Sequence, residues 1–147
     1  MDTVNSFAVY GTLRDDDDSG ATWTQPFLQQ HVSAKSGRVV GMKMFQNAVD
    51  PWPYALLTQS PEDHVRVRIV SFDSDVFGAK LAFADEIEMY NADDPAGGMY
   101  NRKVVTVITD EGEDVEAIMY YVSNLQAHHT WRPITENDWL KRDRTSK

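Results

Sequence analysis

The order of apolar and polar positions along the chain predicts a mixture of short strands and few helices. Phe7-Ala8-Val9-Tyr10 is an apolar, β-prone run that stops at Gly11, as a strand does on entering a tight turn. Trp23, Phe27, Leu28 and Val32 recur near helical spacing after Thr22, so a short helix is predicted from Trp23 to Ala34 with Thr22 as its N-cap. Arg38 to Phe45 reads as a strand, Asp50-Pro51-Trp52-Pro53 as irregular because each proline lacks an N–H and fixes φ, and Tyr54 to Leu57 as a resumed apolar run. Val65, Val67 and Ile69 alternate with Arg66, Arg68 and Val70, the period-2 pattern of a strand with one wet face.

The segment from Val76 to Tyr90 predicts an amphipathic helix, with N-cap chemistry at Asp73-Ser74-Asp75. At steps of about 100° from Val76, the residues Val76, Phe77, Leu81, Phe83, Ala84 and Ile87 fall within about half the circumference. Lys80 and Glu88 share that arc. Glu88 projects about 20° from both Phe77 and Leu81, whereas Ala82 and Glu86 point away. The stem of Lys80 can snorkel outward from the first turns. Asn91 to Met99 is a loop, Lys103 to Thr109 and Val115 to Val122 are strands joined by a turn at Asp110 to Glu113, and Glu136 to about Arg142 is a final short helix. The resulting class is α+β, with about six strands, rather than alternating βαβ units.

At 147 residues, with 41% hydrophobic and 11% aromatic side chains, the chain has the size and material of one domain spanning 1–147. Its formal charge of −9, four of the acids standing together at Asp15 to Asp18, disfavours nucleic acid as a partner, since phosphate backbones are held by clustered Lys and Arg. The acidic run reads as a solvated surface loop. The basic tail Lys141-Arg142-Asp143-Arg144 reads as a frayed terminus. With no cysteine there is no disulfide, thiolate metal site or Cys nucleophile. No run approaches the ~20 apolar residues that cross a bilayer, and the start lacks a signal-peptide pattern, so a cytoplasmic location away from membranes is expected. His128 and His129 are adjacent and face different directions, and no metal or other cofactor is expected.

Three features carry chemistry. A carboxylate on the apolar face of a helix is costly unless its pKa rises or a cation pairs with it. For Glu88 the residues leave both open: a proton-exchanging acid, or an ion pair with Lys80, Arg102 or Arg14, or a place at the frayed helix end. The strand that ends at Tyr10-Gly11-Thr12-Leu13-Arg14 can turn several backbone N–H groups one way to make an anion-binding concavity, or can simply be a turn. Tyr100-Asn101-Arg102 opens a strand with an aromatic wall and, two positions on, a cation on the same face.

In combination these segments resemble a known group. Val9-Tyr10-Gly11-Thr12-Leu13-Arg14 is similar to the "YGTLR" opening of the γ-glutamylcyclotransferase-like proteins, which include the AIG2-like and γ-glutamylamine cyclotransferase branches. Asp85-Glu86-Ile87-Glu88 resembles their "LDxxE", Tyr100-Asn101-Arg102 their "YxR", Pro53-Tyr54-Ala55-Leu56 their "yPAL", and Ala117-Ile118-Met119-Tyr120 the strand ending "AxVY". The order holds over residues 7–122. Ala84 stands where the group has Leu, Met89 where it has Gly, and the aspartate run replaces a shorter turn.

The resemblance implies a small mixed β-barrel of about six strands with a few short helices. It implies a cofactor-independent enzyme that releases an amine from a γ-glutamyl amide as 5-oxoproline forms, with Glu88 as its one catalytic acid/base. By the same resemblance the amides of Gly11, Thr12 and Leu13, following Tyr10, hold the substrate's α-carboxylate, and Tyr10, Tyr100 and Tyr120 line the pocket. The competing expectation is a binding module of the same fold, with the acidic loop or Trp131 and Trp139 serving a protein partner. A further alternative moves the γ-glutamyl group onto a biosynthetic intermediate or a lysine conjugate. The residues name neither the leaving amine nor an oligomeric state.

Overall fold

The computed structural model describes residues 4–47, 52–88, 100–123, 125 and 130–141. In chain order its elements are β1 (Ser6–Val9), α1 (Thr24–Leu28), β2 (His31–Val40), β3 (Met42–Gln46), β4 (Tyr54–Leu57), β5 (His64–Phe72), α2 (Ser74–Ile87), β6 (Asn101–Thr109), β7 (Asp114–Tyr121) and β8 (Arg132–Pro133). Two one-turn 3-10 helices follow, Thr135–Asn137 and Trp139–Lys141.

Five strands close a mixed barrel in the order β1-β5-β2-β6-β7, shut by the parallel pairing of Phe7 with Ile118. The remaining three form a second sheet, β4-β3-β8. It joins the barrel where Val122 N–H donates to the Ala55 carbonyl at 2.8 Å and Leu57 N–H to the Val122 carbonyl at 3.0 Å. The α+β barrel read from the sequence is present, with five strands in the closed ring rather than about six.

Period-2 alternation separates two cores. Val65, Val67 and Ile69 of β5 point into the barrel with Val105, Val107 and Met119, where Met42 and Met44 of the second sheet close the packing. On the outer side, Phe7, Val70 and Phe72 meet Phe27 of α1 and Phe77 and Ala84 of α2. Phe7 is the hinge of that cluster, its ring 4.8–5.9 Å from those of Phe27, Phe72 and Phe77. Val70, on the supposedly wet face, is therefore fully buried, because the helices cover that end of β5.

Several local expectations are corrected. The helix read from Trp23 to Ala34 is five residues long and lacks the Thr22 cap; Trp23 occupies that position. Gln30 at φ 71° ends it, and His31 onward pairs with β5 over nine register positions, so sheet hydrogen bonds override the apolar spacing. The strand read from Arg38 to Phe45 is two strands, broken at Gly41, whose φ of +92° suits glycine. The final helix is two 3-10 turns, since Glu136 and Asn137 both have positive φ; Arg142 lies outside the described residues. The hairpin at 110–113 forms as expected, with Gly112 at φ +87°.

The aspartate run is not a free solvated loop. Arg14, 5% exposed, grips Asp16 through Nε and Nη2 at 2.7 and 2.9 Å, and Arg68 forks onto Asp15 at the same distances. Asp17 accepts the indole N–H of Trp139 at 2.7 Å. That contact buries Trp139, which removes it as a surface for a protein partner. Trp131 lies with its ring edge-on to Tyr54 at 5.0 Å. Lys80 does not snorkel: it is 9% exposed, donates to the Pro26 carbonyl at 2.8 Å and lies over the Phe72 ring, which ties α2 to α1.

Candidate active site

The end of β1, the end of α2, the segment entering β4 and the starts of β6 and the end of β7 converge on one cavity of about 180 Å³. All seven residues singled out from the sequence line it: Tyr10, Gly11, Thr12, Leu13, Glu88, Tyr100 and Tyr120. Asn91 to Met99 and His128 and His129 lie outside the described residues.

Gly11 has no side chain because Pro53 occupies the space: a Cβ there would sit 2.6 Å from Pro53 Cδ and 2.7 Å from Cγ. Pro53 is itself held, its carbonyl accepting the Tyr100 hydroxyl at 2.7 Å while the Tyr100 ring stacks on Tyr54 at 5.4 Å. The chain then turns sharply, with Arg14 N–H donating to the Gly11 carbonyl at 3.0 Å. The Thr12 carbonyl accepts the Thr24 hydroxyl, and its Oγ1 accepts the Trp23 indole N–H at 2.8 Å. Among the described residues, the N–H groups of Gly11, Thr12 and Leu13 find no acceptor. Three donors in sequence at a turn can make a concavity suited to an anion.

Glu88 terminates α2, its N–H donating to the Ala84 carbonyl at 2.9 Å. Burial against the cavity wall pushes its carboxyl up to about pKa 8. Of the three cations the sequence left open as partners, Lys80 goes to Pro26, Arg102 to Asp85 and Arg14 to Asp16 and Asp138. Among the described residues, then, none of these three cations is given to Glu88, which stands at the C-cap of α2, the helix-end place that the sequence also left open. Glu88 acts electrostatically on two phenols: after burial, it is the next cause holding Tyr10 well above its ordinary pKa, and it also contributes for Tyr120. Among the described residues the Tyr10 hydroxyl is buried without a hydrogen bond of normal geometry, the Ala55 backbone lying close to it.

The sequence reading did not single out Trp23, Trp52, Pro53 or Ile87 as lining. Trp52 lay between two prolines in a stretch with no periodicity, and Trp23 was absorbed by a helix pattern. Their rings meet edge to face at 6.3 Å, and the Trp52 N–H donates to the Tyr54 hydroxyl at 3.1 Å.

A family model, gamma-glutamyl cyclotransferase, AIG2-like, matches residues 7–141. The chain belongs to that family. Compared with curated sequences it has no match. Among solved structures it is similar to an AIG2-like protein of mouse, with a TM-score of 0.64 at 18% identity, covering 86% of this chain and 82% of that one. It is also similar to YkqA from Bacillus subtilis, with a TM-score of 0.61 at 20% identity over 93% of this chain, which spans only 40% of the YkqA chain. A uropathogenic Escherichia coli protein, c4763, aligns over 95% of both chains with a TM-score of 0.54 and 22% identity. These likenesses carry the fold.

Proposed function

We propose that this protein is a γ-glutamyl cyclotransferase that closes a γ-glutamyl amide to 5-oxoproline and frees the amine, with Glu88 as the single acid/base. One observation supports the reading: Glu88, whose carboxyl is raised by burial, and three successive residues whose N–H groups find no acceptor among the described residues line the same small cavity. The substrate's α-carboxylate would dock on the amides of Gly11, Thr12 and Leu13. Its α-amine then lies near its own γ-carbonyl, so the attack is intramolecular and proximity supplies much of the rate.

What remains is moving protons. An α-ammonium with a pKa of about 8 is no nucleophile until it loses one, and an amide nitrogen does not leave until it gains one. A carboxyl group of matching pKa exchanges that proton at little cost in either direction. As the carboxylate, Glu88 would take one proton from the α-ammonium and so free the amine to attack; as the new C–N bond to the γ-carbon forms and the old one breaks, it would pass that proton to the amide nitrogen and take up the second proton of the attacking nitrogen. The amine departs neutral, and Glu88 gives the proton it then holds to solvent before the next turnover.

The test is a panel of γ-glutamyl amino acids and γ-glutamyl amines assayed for 5-oxoproline. Release from at least one, lost by about 10²–10⁴-fold in Glu88→Gln, is the expected result. Full activity in that variant would end the assignment.

A further inference from the structure

The last turn of α2 is fastened to the barrel through Asp85, which bonds one side chain of β6 and one of β7. Asp85 Oδ1 accepts the Tyr120 hydroxyl at 2.6 Å, and Oδ2 accepts Arg102 Nη1 at 2.5 Å. The Arg102 guanidinium also lies beside Tyr120. Tyr120 is 3% exposed, and the side chains of Asp85 and Arg102 are about one-fifth exposed. Charge-assisted bonds this short fix both geometry and proton direction.

Asp85 stands three residues before Glu88 and faces β6 and β7, whereas Glu88 ends the same helix and faces the cavity. Tyr120 belongs to both: it lines the cavity and gives its proton to Asp85. A phenol that donates to Asp85 does not donate to Glu88. Such a bond would stabilise the carboxylate form of Glu88 and oppose the effect of burial.

We propose that Asp85 is a positioning residue, which through Arg102 and Tyr120 clamps the end of α2 to β6 and β7 and keeps the Tyr120 proton turned away from Glu88. The inference rests on Glu88 being the acid/base named above. The titratable groups facing Glu88 are Tyr10 from the end of β1, Tyr100 ahead of β6 and Tyr120 from β7, with Asp85 and Glu86 on its own helix and Arg102 behind Tyr120. Removing the charge of Asp85 frees the phenol to turn towards Glu88, uncovers the charge of Arg102 and deletes a neighbouring negative charge. All three favour the carboxylate.

The test titrates the side-chain carboxyl carbon of Glu88 by ¹³C NMR, with its resonance identified by loss in Glu88→Gln. In Asp85→Asn the midpoint falls by about one pH unit or more. In Tyr120→Phe, where no phenol proton exists and the Asp85–Arg102 pair remains, it does not fall. An unchanged midpoint in Asp85→Asn, or an equal fall in both variants, overturns the proposal. Tyr120→Phe decides independently should Asp85→Asn not fold: a rise there means the phenol was donating to Glu88 in the native protein, and the proposal fails. Where turnover is measured, the acid limb of kcat/KM in Asp85→Asn moves by the same amount in the same direction. If no panel substrate yields 5-oxoproline, the proposed activity fails, while the titration still decides the role of Asp85.

Discussion

Arg14 Nη1 donates to Asp138 Oδ1 at 3.0 Å, joining the residue that ends the turn after β1 to one 124 positions along the chain. The same guanidinium holds Asp16, so the turn, the aspartate run and the C-terminal 3-10 segment share a single cation. Arg14→Ala leaves two carboxylates facing an emptied site. Because Asp16 is 38% and Asp138 18% exposed, water relieves part of the penalty, and the expected loss is about 2 kcal/mol, below the value for a fully buried pair. Arg14→Lys, which keeps the charge but not the fork, should lose less. Urea unfolding of the two variants checks the order.

Gly11→Ala places a methyl group where Pro53 already stands, and the Tyr100 hydroxyl keeps Pro53 from yielding. Overpacking of this kind costs about 1–3 kcal/mol. If the turn binds the α-carboxylate equally in the ground and transition states, KM rises while kcat changes little. Steady-state kinetics separate the two; a fall in kcat at unchanged KM would contradict the assigned role.

In the proposed reaction a productive complex needs one proton shared between Glu88 and the substrate amine. Below about pH 8 both groups hold a proton and the amine cannot attack; well above it neither does, and the leaving nitrogen goes unprotonated. The pH profile of kcat/KM should therefore be a bell centred near 8. A plateau from pH 5 to 8 would be inconsistent with a carboxyl group poised as described.

Glu88 also sets a pH dependence of stability. Its folded-state pKa of about 8 lies above the ordinary 4.5, so the native state holds a proton that the unfolded chain releases between those values. The contribution is fully present below about pH 4.5, declines as pH rises and is gone above about pH 8. Glu88→Gln lacks this decline. Relative to the parent, it should gain on the order of 1–2 kcal/mol between pH 5 and pH 9, allowing for water reaching a half-buried carboxyl. Thermal or urea unfolding at the two pH values measures the difference.

Much of the site was legible because its chemistry is local. Gly11 announces the tight turn at the end of β1, and Glu88 stands out as a charge on an apolar arc; both readings need only neighbouring residues. What the sequence concealed depends on distant partners. Nothing near Asp15 to Asp18 says that Arg68 and Trp139 will meet them, so the run looked like solvated surface. Lys80 looked like an intruder on its helix until Pro26 supplied a carbonyl and Phe72 a ring face. The helix read through Val32 failed because β5 offered a long ladder to the same residues, and ladder bonds outweigh intrinsic propensity.

Glu88 caps the C-terminal end of a fourteen-residue helix whose other cap is Asp73. Removing one residue anywhere between Ser74 and Ile87 would swing the carboxyl by about 100° and draw it back by about 1.5 Å. The turn at Asp110 to Glu113 has no such gearing and should absorb a length change. Among relatives that keep the acid, α2 should therefore conserve its residue count more strictly than its amino acids.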